Sequence, residues 1–87
     1  MATIRLTLLG GERAGEAITF DGDRLVIGRA TSCELTISDA SVSRQHAAIE
    51  RRGLVFELID LGSHNGTFVA GRKERVSRRI LVNGDEI

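Results

Sequence analysis

Eighty-seven residues make one domain, near the small end of what buries a core unaided, and a hydrophobic share of 41% excludes a disordered or fibrous chain. Twelve basic residues balance 12 acidic ones, which argues against a general polyanion binder but permits a small local cluster of arginines. The single cysteine, Cys33, excludes an internal disulfide. No apolar run approaches the roughly 18–20 residues that span a bilayer, so the expected setting is soluble and cytoplasmic.

In chain order, Ile4, Leu6 and Leu8 alternate with polar residues, then Ile18 with Phe20, Leu25 with Ile27, and Leu35 with Ile37. Ala47 and Ile49 continue the period of two, followed by Phe56 and Leu58 and by Ile80 and Val82. Such alternation places one set of side chains on one face of a strand. No stretch carries apolar residues at helical spacing, so the expected class is all-β, a sandwich or small barrel. With no proline in the chain, the turns rest on glycine at Gly10-Gly11, Asp21-Gly22, Arg52-Gly53, Gly62, Asn65-Gly66, Gly71 and Asn83-Gly84. Asn65-Gly66 reads as a tight turn, since both residues tolerate positive φ. Phe20, Phe56 and Phe68 are the only aromatics and are expected as the bulkiest members of an aliphatic core.

Three polar segments lie between these apolar runs: Gly28-Arg29, Ser41 to His46, and Leu61 to Thr67. Arginine donates charge-assisted, often bidentate, bonds to phosphate oxygens. Serine adds a hydroxyl hydrogen without bulk, and asparagine offers a donor and an acceptor suited to a peptide backbone. In a sandwich, loops from one end converge even when distant in sequence.

Gly28-Arg29, then Ser43-Arg44-Gln45-His46-Ala47, then Asn65-Gly66-Thr67 resembles the forkhead-associated (FHA) domain pattern in order and spacing. Asp39, Asp60 to Ser63 and Leu81 to Ile87 also match, so the resemblance covers residues 4–87. It implies an FHA-like β-sandwich of two antiparallel sheets that binds threonine-phosphorylated proteins or peptides and needs no cofactor. On that resemblance Arg29 contacts the phosphate or adjacent peptide backbone, Ser43 binds the phosphate and Arg44 assists. Asn65 bonds the peptide main chain, and His64 lies at a contact position where the family often has Thr, Arg or Lys. Gly28, His46, Gly66 and Thr67 match architectural positions, with His46 bracing the loops. The family's fold continues past Ile87, so residues 1–87 read as a single FHA-like domain, incomplete at its C-terminal end. An unpartnered sheet edge, with self-association through it, is then expected.

Other chemistries find less support. His46, His64, Asp60 and Cys33 fit no usual zinc spacing. Ser43, His46 and Asp60 could be combined into a hydrolase triad, but no nucleophile-elbow pattern or glycine-rich nucleotide loop accompanies them. The segment from Arg72 to Arg79 holds five basic residues and one acid. It reads first as a solvated loop and, as the runner-up from another class, as a patch for nucleic acid or an acidic partner.

Overall fold

The computed structural model describes residues 3–8, 15–69, 75–82 and 87. The turns expected at Gly10-Gly11, Gly71 and Asn83-Gly84 lie outside the described residues. Among the described residues all regular structure is β: β1 (Ile4–Thr7), β2 (Ala17–Phe20), β3 (Arg24–Gly28), β4 (Leu35–Thr36), β5 (Ala47–Arg52), β6 (Val55–Asp60) and β7 (Arg78–Leu81). They form a two-stranded sheet, β1-β2, and a five-stranded sheet in the order β4-β3-β5-β6-β7.

Register explains the core. In the larger sheet Ile27 faces Ala47, Ile49 faces Leu58, and Phe56 faces Leu81. Directly paired residues point to the same face, so these side chains form one continuous apolar surface. Ile4 and Leu6 of the smaller sheet, with Leu8 just after β1, bury against it, and an edge-to-face contact between Phe20 and Phe56, with centroids 6.0 Å apart, links the layers. Leu6, Ile49 and Leu58 are the largest side chains completely withdrawn from solvent.

Three expectations are corrected. Phe68 is 42% exposed rather than a core member, because the loop that follows Asn65-Gly66 carries its ring outward over Gly66. Ile80 and Val82 are also exposed, while Leu81 between them is buried. The β6–β7 register sets this choice, because it places Leu81 opposite core Phe56 and Ile80 opposite Glu57. Finally, the larger sheet is not wholly antiparallel: the short β4 pairs with β3 in parallel.

The β5–β6 hairpin shows why glycine follows Arg52. Its two central residues are Gly53 and Leu54, and only Gly53 has positive φ, at 62°. Glycine at the first central position is what a type II′ turn requires. The hairpin's outer face carries an alternating line of charge, with Arg24 on Glu50 at 3.0 Å, Arg52 on Glu57 at 3.1 Å, and Arg78 on Glu57 at 3.3 Å.

Candidate functional site

Strand direction gathers the three polar segments. β3 ends at Gly28, antiparallel β5 begins at Ala47, and β6 ends at Asp60. The end of β3, the start of β5 and the end of β6 therefore share one edge of the sheet. The approach to β7 arrives there too, since the Asp60 amide bonds the Ser77 carbonyl at 3.0 Å.

Gly28 lets the first two segments touch. A Cβ on it would stand 2.1 Å from the carbonyl oxygen of Arg44 and 2.9 Å from Cys33 Sγ, so any side chain would push the 41–46 segment away. With that space empty, the Arg29 amide donates to the Ser43 carbonyl at 3.0 Å and the Ala30 amide to the Arg44 carbonyl at 3.1 Å. Arg29 Nε donates to the Val42 carbonyl at 3.1 Å, which orients the guanidinium and leaves its two terminal nitrogens without a protein partner among the described residues.

His46 joins the second segment to the third. Its Nδ1 accepts the Ser43 amide hydrogen at 3.1 Å. An acceptor Nδ1 on a neutral ring puts the hydrogen on Nε2, which donates to the Gly66 carbonyl at 2.8 Å. Across the same gap the His64 amide donates to Ser43 Oγ at 3.0 Å, and Asn65 Nδ2 donates to the Ser41 carbonyl at 2.7 Å. Ser43 Oγ thus uses an acceptor site inside the protein, and its hydroxyl hydrogen keeps the outward role. Asn65 likewise keeps Oδ1 and one amide hydrogen.

Asp60 organises the third segment. Its carboxylate accepts the amides of Gly62 at 3.0 Å and Ser63 at 3.1 Å, and the hydroxyls of Ser63 and of Thr67, the latter at 2.7 Å. Ser63 Oγ in turn accepts the Gly66 amide at 3.1 Å. Ser63 and Thr67 are the buried polar residues among those described, and Asp60 satisfies both. Burial pushes the Asp60 carboxyl upward, but the bonds from Ser63, Thr67 and Gly62 outweigh it and hold the group below the usual carboxylate range. Asp39 is lowered as well, through the hydroxyl and amide of Ser41. Gly66 sits at φ 91°, whereas Asn65 is not in the left-handed region. The expected turn with both residues at positive φ is therefore absent, and asparagine is accounted for by its side-chain bond instead.

Charge separates this edge from the rest of the surface. Arg24, Arg51, Arg52 and Arg78 each face a carboxylate. Arg29, Arg44 and Arg75 have no carboxylate partner among the described residues, and all three are exposed. Beneath the loops lies a cavity of about 410 Å³, whose lining includes Ile27, Ala47 and Leu58 of the core and Val42, His46 and Thr67 of the loops. The described residues hold no cluster of three or more His, Cys, Asp or Glu side chains suited to a metal ion.

All nine residues singled out from the sequence meet at this edge, with Gly28, His46, Gly66 and Thr67 in its framework and Arg29, Ser43, Arg44, His64 and Asn65 toward solvent. The described basic residues of the 72–79 segment do not share one environment. Arg78 pairs with Glu57, Arg79 lies beside core Leu58 with a buried Nε that has no partner among the described residues, and Arg75 turns to the loops. Ser41, Asp60 and Arg75 are structural participants whose roles depend on contacts invisible in a linear pattern, although Asp60 followed by Ser63 is a recognisable local capping arrangement.

A β-fold of two layers that presents a braced, arginine-bearing loop surface at one edge is a binding module on a rigid scaffold. The chain belongs to the FHA domain family, which it matches over residues 25–87. It is 37% identical over 82 residues to the oxoglutarate dehydrogenase inhibitor of Corynebacterium jeikeium, covering 94% of this chain and 56% of that protein. The chain therefore spans about half the length of such curated relatives. Among solved structures, Mycobacterium tuberculosis EmbR in complex with a low-affinity phosphopeptide superimposes with a TM-score of 0.78 at 30% identity, over 97% of this chain and 21% of that one. An FHA domain structure described for phosphothreonine-dependent interactions aligns with a TM-score of 0.75 at 28% identity, over 98% of this chain and 83% of that one.

Proposed function

We propose that this FHA domain, a phosphothreonine-dependent binding module, grips its ligand through Arg29, Ser43 and Asn65. The phosphorylated segment lies extended across the loops. Its phosphate, carrying about −1.5 to −2 charges at neutral pH, meets the terminal nitrogens of Arg29, the hydroxyl hydrogen of Ser43 and the guanidinium of Arg44. Asn65 pairs with the neighbouring peptide backbone, and His64 flanks it. The domain binds and carries out no reaction. Residues 1–87 act as one such unit within a regulatory protein, and the partner is a threonine-phosphorylated protein.

The observation that carries this reading is the contrast in pairing: Arg24, Arg51, Arg52 and Arg78 each meet a carboxylate, while the exposed Arg29 and Arg44, in the segments joined by the Arg29–Ser43 backbone bond, have none among the described residues. Few groups contact the ligand, so the affinity is on the order of micromolar, about −8 kcal/mol. A phosphothreonine peptide library, with phosphoserine and unphosphorylated versions beside it, tests the reading. Retention of phosphothreonine peptides alone is expected; retention independent of the phosphate contradicts it.

A further inference from the structure

We infer that Arg75 makes this domain favour phosphothreonine segments that also carry an acidic side chain near the phosphorylated residue. The inference rests on the phosphothreonine reading above and adds a second charge requirement to it.

Arg75 precedes β7, yet its Nη2 donates to the Ser63 carbonyl at 2.7 Å. Its Nε and Cγ lie 2.6 Å and 3.0 Å from the place a Cβ on Gly66 would occupy. The side chain therefore lies along the Ser63–Gly66 loop that carries Asn65, and the absence of a side chain on Gly66 makes room for it. That loop is held by the 41–46 segment through His64, Asn65 and Gly66, and by Arg75 through Ser63.

Fastening the loop occupies one of the five guanidinium donors. The residue is exposed and has no carboxylate partner among the described residues. Arg29 and Arg44 already answer the charge of one phosphate, and Arg75 adds a third cation at the same sheet edge. Because its side chain is already anchored, little rotamer freedom is lost when it accepts a carboxylate, which it can meet with paired N–H groups. Solvent exposure keeps the effect modest, about two- to fivefold in affinity.

The test uses phosphothreonine peptides in which each flanking position is set in turn to Glu, Gln or Lys, titrated at low and high salt. The parent domain is expected to prefer Glu over Gln by about two- to fivefold at one or more positions, with the preference shrinking as salt rises. Arg75→Gln should erase that ratio, and Arg75→Glu should invert it toward Lys, a reversal that mere loosening of the loop does not produce. Arg78→Gln, altering an arginine already paired with Glu57, should keep the parent ratio. A parent ratio of one, a ratio that survives Arg75→Gln, or a failure to invert overturns the inference. Should either variant cease to bind phosphopeptide, Arg75→Lys decides: a retained Glu preference supports the inference and its loss refutes it. Phosphate-independent binding by the parent would instead sink the phosphothreonine reading itself.

Discussion

The Ser43 amide donates to Nδ1 of His46 at 3.1 Å, and this single bond sets which nitrogen of the ring can reach the Gly66 carbonyl. One imidazole thereby ties the Ser43 loop to the Asn65 loop. His46→Ala removes both bonds and leaves a half-buried amide and carbonyl without partners. A loss of about 1–3 kcal/mol is expected, a fall in Tm on the order of 5–15 °C, read by thermal denaturation. An unchanged Tm would refute the bracing role.

Gly28→Ala should be costly for a different reason. Its Cβ would stand 2.1 Å from the Arg44 carbonyl, a backbone atom that cannot rotate aside. Displacing the 41–46 segment is expected to cost about 1–3 kcal/mol and to weaken phosphopeptide binding at temperatures where the domain remains folded. Both readouts move together, because the same displacement separates Arg29 from Ser43. A Tm drop with unaltered affinity would show that the segment's position does not matter for binding.

Asp60 predicts a pH dependence of stability. Its folded-state pKa is lowered, so its contribution is fully present above the ordinary carboxylate range and is lost as pH falls through the lower folded value. Tm should therefore be flat near neutrality and fall below about pH 4. Asp39 is lowered too and adds to the same acid limb. Asp60→Asn should start from a lower Tm at pH 7 and show a shallower acid decline, with the Asp39 portion remaining. An identical acid limb in parent and variant would refute the assignment to Asp60.

Asn65 separates turn-making from recognition. Since it is not in the left-handed region, Asn65→Ala should cost little as a backbone change, while removing the bond to the Ser41 carbonyl and the amide proposed to meet the peptide. Asn65→Asp loses the same donor and, beyond that, puts a negative charge beside the proposed phosphate position. Titration calorimetry is expected to rank affinity as parent, then Asn65→Ala, then Asn65→Asp. Asn65→Asp binding as tightly as the parent would contradict the placement.

Much of this was readable in the linear pattern, for identifiable reasons. Alternation at Ile4, Leu6 and Leu8, and at Phe56 and Leu58, reports burial directly, because a strand's period is local. Arg29, Ser43 and Asn65 were legible for a different reason, because their order and spacing resemble the FHA pattern. What stayed hidden depends on pairing between distant residues. Leu81 rather than Ile80 is buried because of its partner Phe56, and no local signal distinguishes the two. Phe68 looks like core by composition, but its ring lies over Gly66 and stays exposed. Arg75 was one cation in a basic run until the fold brought it against Ser63.

The most direct measurement compares the parent, Arg29→Ala and Ser43→Ala for binding to one phosphothreonine peptide taken from the library, with Tm recorded for each protein. Removing the charge-assisted bonds of Arg29 is expected to weaken binding by about 1.5–3 kcal/mol, roughly ten- to a hundredfold, with folding retained. Ser43→Ala should weaken it in the same direction. Affinity equal to the parent's in a folded Arg29→Ala protein would contradict the assignment of the phosphate to this edge of the sheet.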